Sequence, residues 1–175
     1  MENIYYTAVE KKLLEHLNGR KNLKILELGC GNKIYQKNTA LHQYEGLDLP
    51  SSSWIDSNNK PEILTKFSNF SPDKNYDLVF SVATVHLFDE DDLENLIKLI
   101  LNLRENKGKI IIFDYLEKTI SKLGSKQNNY LKILNDKFRD NFKVIKIEWC
   151  SNNKVKKKIK EIFSINLSQI IEISF

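Results

Sequence analysis

Apolar residues recur at helical spacing near the start of the chain. Val9, Leu13, Leu14 and Leu17 follow one another with charged residues between them, which predicts a helix over Ile4–Leu17. Leu23–Leu28 then reads as a strand that runs directly into a glycine turn, and Ile34–Gln43 as a short helix. Tyr44–Leu49 gives a second strand and Glu62–Leu64 a brief third. Asp77–Val82 is a fourth, with the near-continuous apolar run of a strand buried on both faces. The strongest helix follows, its apolar face set by Leu93, Leu96, Ile97, Ile100 and Leu101. Acids at Asp89–Asp92 favour its N-terminus, Asp91 and Glu94 have the spacing of a capping box, and Asn106–Gly108 end it.

Lys109–Phe113 reads as a fifth strand, and Asn129–Arg139 as a helix buried through Tyr130, Leu131, Leu134 and Phe138. Phe142–Trp149 is a sixth strand; Ser151–Asn153 suits a hairpin turn; Ile159, Phe163, Ile165 and Leu167 mark a seventh over Ile159–Leu167. Strands alternating with helices imply a parallel sheet covered on both faces. The expected fold is therefore α/β, a doubly wound, mostly parallel seven-stranded sheet with one antiparallel edge strand near the C-terminus. One domain is expected over 1–175: an N-terminal helix (1–20), a ligand-binding core (22–115) and a C-terminal helix and strand hairpin (116–175). Pro50–Pro61 is the most loop-like stretch.

Composition narrows the class. The chain has 175 residues, 41% hydrophobic and 29% charged, which suits a folded globular domain. No apolar run approaches the roughly 20 residues of a membrane helix, and no secretory signal is read at the N-terminus. The two cysteines, Cys30 and Cys150, lack paired spacing, so reduced thiols and a cytoplasmic setting are expected. With three scattered histidines no zinc pattern is available, and no metal is expected. A net charge of +4 permits contact with nucleic acid without arguing for it. The lysine run Lys154, Lys156, Lys157, Lys158, Lys160 reads as a solvated face.

The central motif is LELGCG, Leu26–Gly31, joining a buried strand to the segment after it. Gly29 and Gly31 allow a sharp turn and close approach of a ligand to the backbone. A following helix would offer free N–H groups. Asp48, ending the next strand, suits the two hydroxyls of a ribose. A dinucleotide site would look similar, but its third glycine position is Ile34 here. Glu27, two residues before Gly29, would repel a pyrophosphate and attract an ammonium group. A ribose on one side and an α-amino group on the other describe S-adenosylmethionine.

ILELGCGN (Ile25–Asn32) resembles motif I of the class I methyltransferases. YEGLDL (Tyr44–Leu49) is similar to their second strand with its acidic end. NYDLVFSVATVHLF (Asn75–Phe88) resembles their fourth strand and the loop after it, and ENKGKIIIFDY (Glu105–Tyr115) the segment through the fifth. The resemblance implies S-adenosylmethionine as cofactor. It places Glu27 near the methionine amino group, Gly29, Cys30 and Gly31 along the methionine and ribose, Asp48 on the ribose hydroxyls and Leu49 against the adenine. Ser81 and Val82 would contribute backbone contacts along the methionine. The family often carries an acid after the third strand, near the adenine amino group. Leu64-Thr65-Lys66-Phe67 has none, which leaves Phe67 to pack on the ring.

His86 and Asp114 are the candidate catalytic residues. Each has a plainer alternative, packing for His86 and capping of the next segment for Asp114. Cys30 reads as a small buried filler rather than a nucleophile, and Trp54 as either a pocket rim or a simple anchor. Amino-directed adenine and cytosine methyltransferases carry Asn or Asp before Pro-Pro and an aromatic residue, where this chain has Ser81-Val82-Ala83-Thr84. A small-molecule acceptor, methylated on oxygen or nitrogen, is the leading expectation. An RNA or protein methyltransferase and a non-catalytic partner subunit are the alternatives.

Overall fold

The computed structural model describes residues 4–72, 74–115, 130–146 and 168–175. Helix α1 (Ile4–Leu17) leads into β1 (Lys24–Leu28), and β2 (Gln43–Asp48) and the two-residue β3 (Ile63–Leu64) follow. Next come β4 (Leu78–Val82), α2 (Glu90–Glu105), β5 (Lys109–Tyr115), α3 (Tyr130–Phe138), β6 (Phe142–Lys146) and β7 (Ser168–Ser174). All seven strands form one sheet in the order β3-β2-β1-β4-β5-β7-β6. The first five pair in parallel. β7 runs antiparallel to both β5 and β6. The antiparallel strand near the C-terminus therefore lies one place in from the edge, with β6 outermost.

Alternating side chains along each strand feed two apolar layers. Leu26, Leu28, Val79, Ile110, Ile112, Ile171 and Ile173 face α2 and α3, meeting Leu96, Ile100, Leu103, Leu134 and Phe138. Ile25, Phe80, Ile111, Phe113 and Ile170 face α1, meeting Val9, Leu13 and Leu17. Leu14, grouped with that stripe by spacing, is 48% exposed. Glu172 is the charged intruder in the α1 layer. Lys12 Nζ from α1 reaches its carboxylate at 2.9 Å. Burial alone would raise that carboxyl, but the Lys12 hydrogen bond and charge hold it below the usual range.

Three local features differ from expectation. The stretch after the glycine turn is no α-helix: it coils through turns into a four-residue 3-10 helix, Gln36–Thr39. Only Tyr35 and Thr39 are buried between Tyr35 and His42, so no apolar stripe holds a helix to the sheet. Thr39 Oγ1 donates back to the Gln36 carbonyl at 2.8 Å. The cap of α2 is set by Asp89, not Asp91. Asp92 N–H donates to Asp89 Oδ1 at 3.0 Å, and Asp89 N–H reaches back to Asp92 Oδ2 at 3.4 Å. Buried Phe88 fixes the approach of the chain, so the first acid with extended backbone takes the cap. The final strand is Ser168–Ser174, while the expected strand Ile159–Leu167 and turn Ser151–Asn153 lie outside the described residues. No helix among the described residues is long and apolar enough to cross a membrane.

The 3-10 turn after β3 is tied to α2 at two points, Ser68 N–H donating to Asp92 Oδ1 at 2.7 Å and the Asn95 side-chain amide bridging two carbonyls. Asn95 Nδ2 donates to the carbonyls of Phe67 at 2.7 Å and Phe70 at 2.8 Å. Asn95→Ala removes both bonds, leaving the Phe67 carbonyl with Phe70 N–H as its donor at 3.0 Å, and is expected to lower stability by about 1–3 kcal/mol in urea unfolding. Asn95→Asp, which presents acceptors to acceptors, should be at least as damaging.

Candidate functional site

The order of the sheet reverses between β1 and β4. The chain first moves outward through β2 and β3 and then returns to the other side of β1. Loops diverge there at the carboxyl ends of the strands and leave a crevice, the usual place for a ligand in such sheets. The glycine turn forms its floor. Gly29 and Gly31 have φ of 69° and 53°, in the left-handed region. A side chain on Gly29 would collide with Thr84, from the loop after β4, and a Cβ on Gly31 would sit 3.2 Å from the Trp54 Cβ. Gly29 N–H and Cys30 N–H both donate to the Leu47 carbonyl, at 2.8 and 3.2 Å, fixing the turn to β2.

Asp48 closes the arrangement. Its Oδ2 accepts from Gly31 N–H at 2.6 Å, and its Oδ1 from Leu49 N–H at 2.7 Å. An ionised carboxylate offers about four acceptor positions. One on each oxygen is used by these amides, and the carboxylate is held in a fixed orientation. Leu49 beside it is 46% exposed.

Glu27 is 2% exposed and accepts from Tyr44 Oη at 2.5 Å through Oε2. Burial pushes its carboxyl up to about 8, with the charges of Asp48 and Glu62 adding to the rise and the Tyr44 hydrogen bond opposing it. The Tyr44 hydroxyl is driven up in turn, by burial and by Glu27. Behind the turn, Lys33 adopts φ 53° and buries its ammonium against Glu62 Oε1 at 2.7 Å. Glu62 Oε2 accepts from Gly46 N–H at 2.7 Å. Cys30 Sγ occupies the space that Gly46 leaves open: a Cβ on Gly46 would lie 2.5 Å from it. Burial raises the thiol well above its usual range, which suits the filler reading and not a nucleophile.

On the other side of the switch point, Ser81 is fully buried at the end of β4, and its hydroxyl has no hydrogen-bond partner among the described residues. Val82 pairs with Phe113 in the ladder. His86 and Asp114 are brought together. Asp114 Oδ1 lies 2.7 Å from His86 Nδ1, and Oδ2 accepts from His86 N–H at 2.9 Å and from Tyr130 Oη at 3.1 Å. An ionised carboxylate only accepts, so Nδ1 carries the proton of that bond and Nε2 becomes the basic nitrogen. The two candidate catalytic residues, named separately in the sequence, are thus in direct contact, while the segment that Asp114 was expected to cap lies outside the described residues.

Phe67 is not brought to this crevice. It is buried in the layer under α2, its ring centroid 5.0 Å from that of Phe88. Tyr44, Lys33, Glu62, Thr84 and Tyr130 are site residues that sequence reasoning missed. Only Tyr44 left a signal, as a polar-tipped aromatic on the strand beside Glu27.

The raised carboxyl of Glu27 makes a stability prediction. Below pH 4.5 the side chain is protonated in both folded and unfolded chains. Between 4.5 and about 8 the folded protein keeps a proton that the unfolded chain has lost, so stability falls as pH rises through this window. Glu27→Gln should therefore melt progressively higher than the parent between pH 5 and pH 9, with a gain on the order of several kcal/mol at the alkaline end. An equal difference at both ends would show that Glu27 titrates normally.

No family model matches the chain. In sequence it is similar to malonyl-[acyl-carrier protein] O-methyltransferase 1 of Ilyobacter polytropus, with 31% identity over 134 residues. The match takes in 67% of this chain and 49% of that protein, so the chain spans about half the length of this relative. Solved structures with the same fold include the plantazolicin methyltransferase BpumL in complex with SAH, at TM-score 0.61 and 18% identity over 98% of this chain and 84% of that one. The N-methyltransferase NodS from Bradyrhizobium japonicum matches at TM-score 0.62 and 15% identity, over 99% and 97%. A SAM-dependent methyltransferase from Archaeoglobus fulgidus matches at TM-score 0.57 and 16% identity, over 97% and 94%. The chain thus shares the fold of these methyltransferases and, over two thirds of its length, sequence likeness with a methyltransferase.

Proposed function

We propose that this protein is an S-adenosylmethionine-dependent methyltransferase that acts on oxygen or nitrogen of a small-molecule acceptor. The observation that carries the reading is the Asp48 carboxylate, oriented by the amides of Gly31 and Leu49 with acceptor positions left for a vicinal diol. The residues present fit the cofactor. Gly29 and Gly31 let the ligand approach the backbone, Asp48 takes the ribose hydroxyls, and Leu49 packs on the adenine. Cys30 shapes the turn from behind. Glu27 supplies the negative potential for the amino group, and its proton leaves when the cationic ligand arrives. The backbone at Ser81 and Val82 borders the methionine. When bound, the cofactor supplies an activated methyl group on a sulfonium.

The chain's own part is mainly alignment and exclusion of water. His86 is the residue to take a proton from a hydroxyl or ammonium acceptor, and Asp114 steadies the resulting imidazolium. The similar curated protein is named for O-methylation, and NodS for N-methylation, which supports both acceptor classes.

Calorimetric titration with S-adenosylmethionine and, separately, NAD tests the reading. Binding of the first, reduced at least tenfold in Asp48→Ala, is the expected result. Binding of NAD alone would overturn it, and binding of neither would shift weight to a non-catalytic subunit. His86→Gln is expected to reduce turnover by roughly 100-fold or more while cofactor affinity changes less than about twofold. Loss of both together would make His86 a packing residue.

A further inference from the structure

A second concave surface lies at the other end of the sheet, where the chain leads into β1 and β2. It is an open groove of about 800 Å³ between α1 and the segment that follows the glycine turn. The five residues of β1, at roughly 3.3 Å each, separate it from the glycine turn by roughly 15 Å. Its end is a fixed turn. Gly19, at φ 73°, stops α1 in the left-handed conformation. Arg20 N–H donates to the Leu17 carbonyl and Asn22 N–H to the Leu41 carbonyl, each at 3.0 Å. Lys11, Leu14 and Glu15, at three- and four-residue spacing, share the face of α1 that lines the groove. Leu14 therefore turns outward, 48% exposed, and Leu41 on the other wall is 65% exposed.

Four cations line this groove, Lys11, Arg20, Lys21 and Lys37, against two carboxylates, Glu10 and Glu15. Both carboxylates are already answered, Glu10 by Lys37 at 2.7 Å and Glu15 by Lys12 at 3.4 Å. Burial holds the His42 ring below its usual range, so it adds no charge at pH 7. Lys11, Arg20 and Lys21 are exposed and make no ion pair among the described residues. Two exposed leucines among unanswered cations complement a chain that carries acids with apolar residues between them. Other occupants fit less well. A second copy meeting the groove two-fold would set these cations against themselves. Single-stranded nucleic acid would find partners for its phosphates, but no Phe, Tyr or Trp lines the groove to stack its bases. We propose that the groove docks an acidic, amphipathic segment of a partner protein, whose apolar side chains seat on Leu14 and Leu41 while its carboxylates meet Lys11, Arg20 and Lys21. The surface stands apart from the crevice at the carboxyl ends of the strands, so its occupant does not compete with a ligand there.

The test uses the full chain and a fluorescein-labelled sixteen-residue peptide of Glu and Leu at helical spacing, followed by fluorescence anisotropy. Companion peptides replace every Glu by Lys or every Leu by Ser. The Glu/Leu peptide is expected to bind with a Kd on the order of 10–100 μM, and each companion roughly tenfold more weakly or worse. Arg20→Glu combined with Lys21→Glu should weaken binding about tenfold or more and flatten its salt dependence. Leu41→Ser should weaken it about fivefold. These side chains are exposed, so the variants should keep the parent's melting temperature. Saturating S-adenosylhomocysteine should leave the peptide bound. Displacement would place the peptide in the crevice and overturn the docking surface, while the cofactor reading stands. No binding to the parent chain, or equal binding by parent and variants, overturns it as well. So does a twenty-nucleotide oligouridylate that binds more tightly and is lost in the double variant, or a dimer in sedimentation that Leu41→Ser dissociates.

Discussion

The site depends on one carboxylate and the two amides that hold it. Asp48 ends β2, Gly31 belongs to the turn that ends β1, and the hydrogen bond between them fixes the relative position of two loops that would otherwise diverge at the switch point. Charge-assisted bonds to backbone amides are stronger than neutral ones, and both oxygens of Asp48 make them. The left-handed glycines follow from the same constraint, because only that backbone presents the Gly31 amide to Asp48 while Thr84 and Trp54 close over the turn. The Lys33–Glu62 pair then braces the turn from behind, through the amide of Gly46.

That geometry concentrates negative charge. Glu27, Asp48 and Glu62 influence one another, and Glu62 is answered by Lys33, while among the described residues Glu27 is met by the hydroxyl of Tyr44. A buried carboxyl without a cation is destabilising, and its natural complement is a ligand that brings one. The opposite flank is arranged differently: Asp114 is fully buried but accepts hydrogen bonds from the backbone and ring of His86 and from Tyr130. One half of the site thus carries a buried carboxyl and the other a buried His–Asp pair.

Much of this was legible in the chain. Alternating strand and helix patterns set the architecture, since β1, β4 and β5 are short apolar runs that only a sheet covered on both faces can bury. The glycine turn was legible because glycine and acid stand at fixed offsets from a strand. The rest depended on tertiary pairing. Nothing in Ile34–Gln43 shows that α1 already covers that face of the sheet and leaves no room in the core for another helix. Phe67 looked available because its partners, Phe88 and Phe70, meet it only once the loop has folded under α2. The Asp114–His86 contact joins the end of β5 to the 3-10 turn after β4, for which no local spacing gives a signal.

The inner position of β7 bears on how the chain acquires its shape. β5 and β6 are made first, yet neither touches the other: each pairs with β7 along its length. While a ribosome is still adding residues, the parallel half of the sheet can collapse around β1 and β4, but β6 has no neighbour and β5 has a bare edge. Exposed edges of this kind invite pairing with the wrong chain. The nascent protein is therefore most vulnerable to aggregation between the synthesis of Lys146 and that of Ser174. Crowded translation or a stall in that interval would do more harm than the same delay earlier.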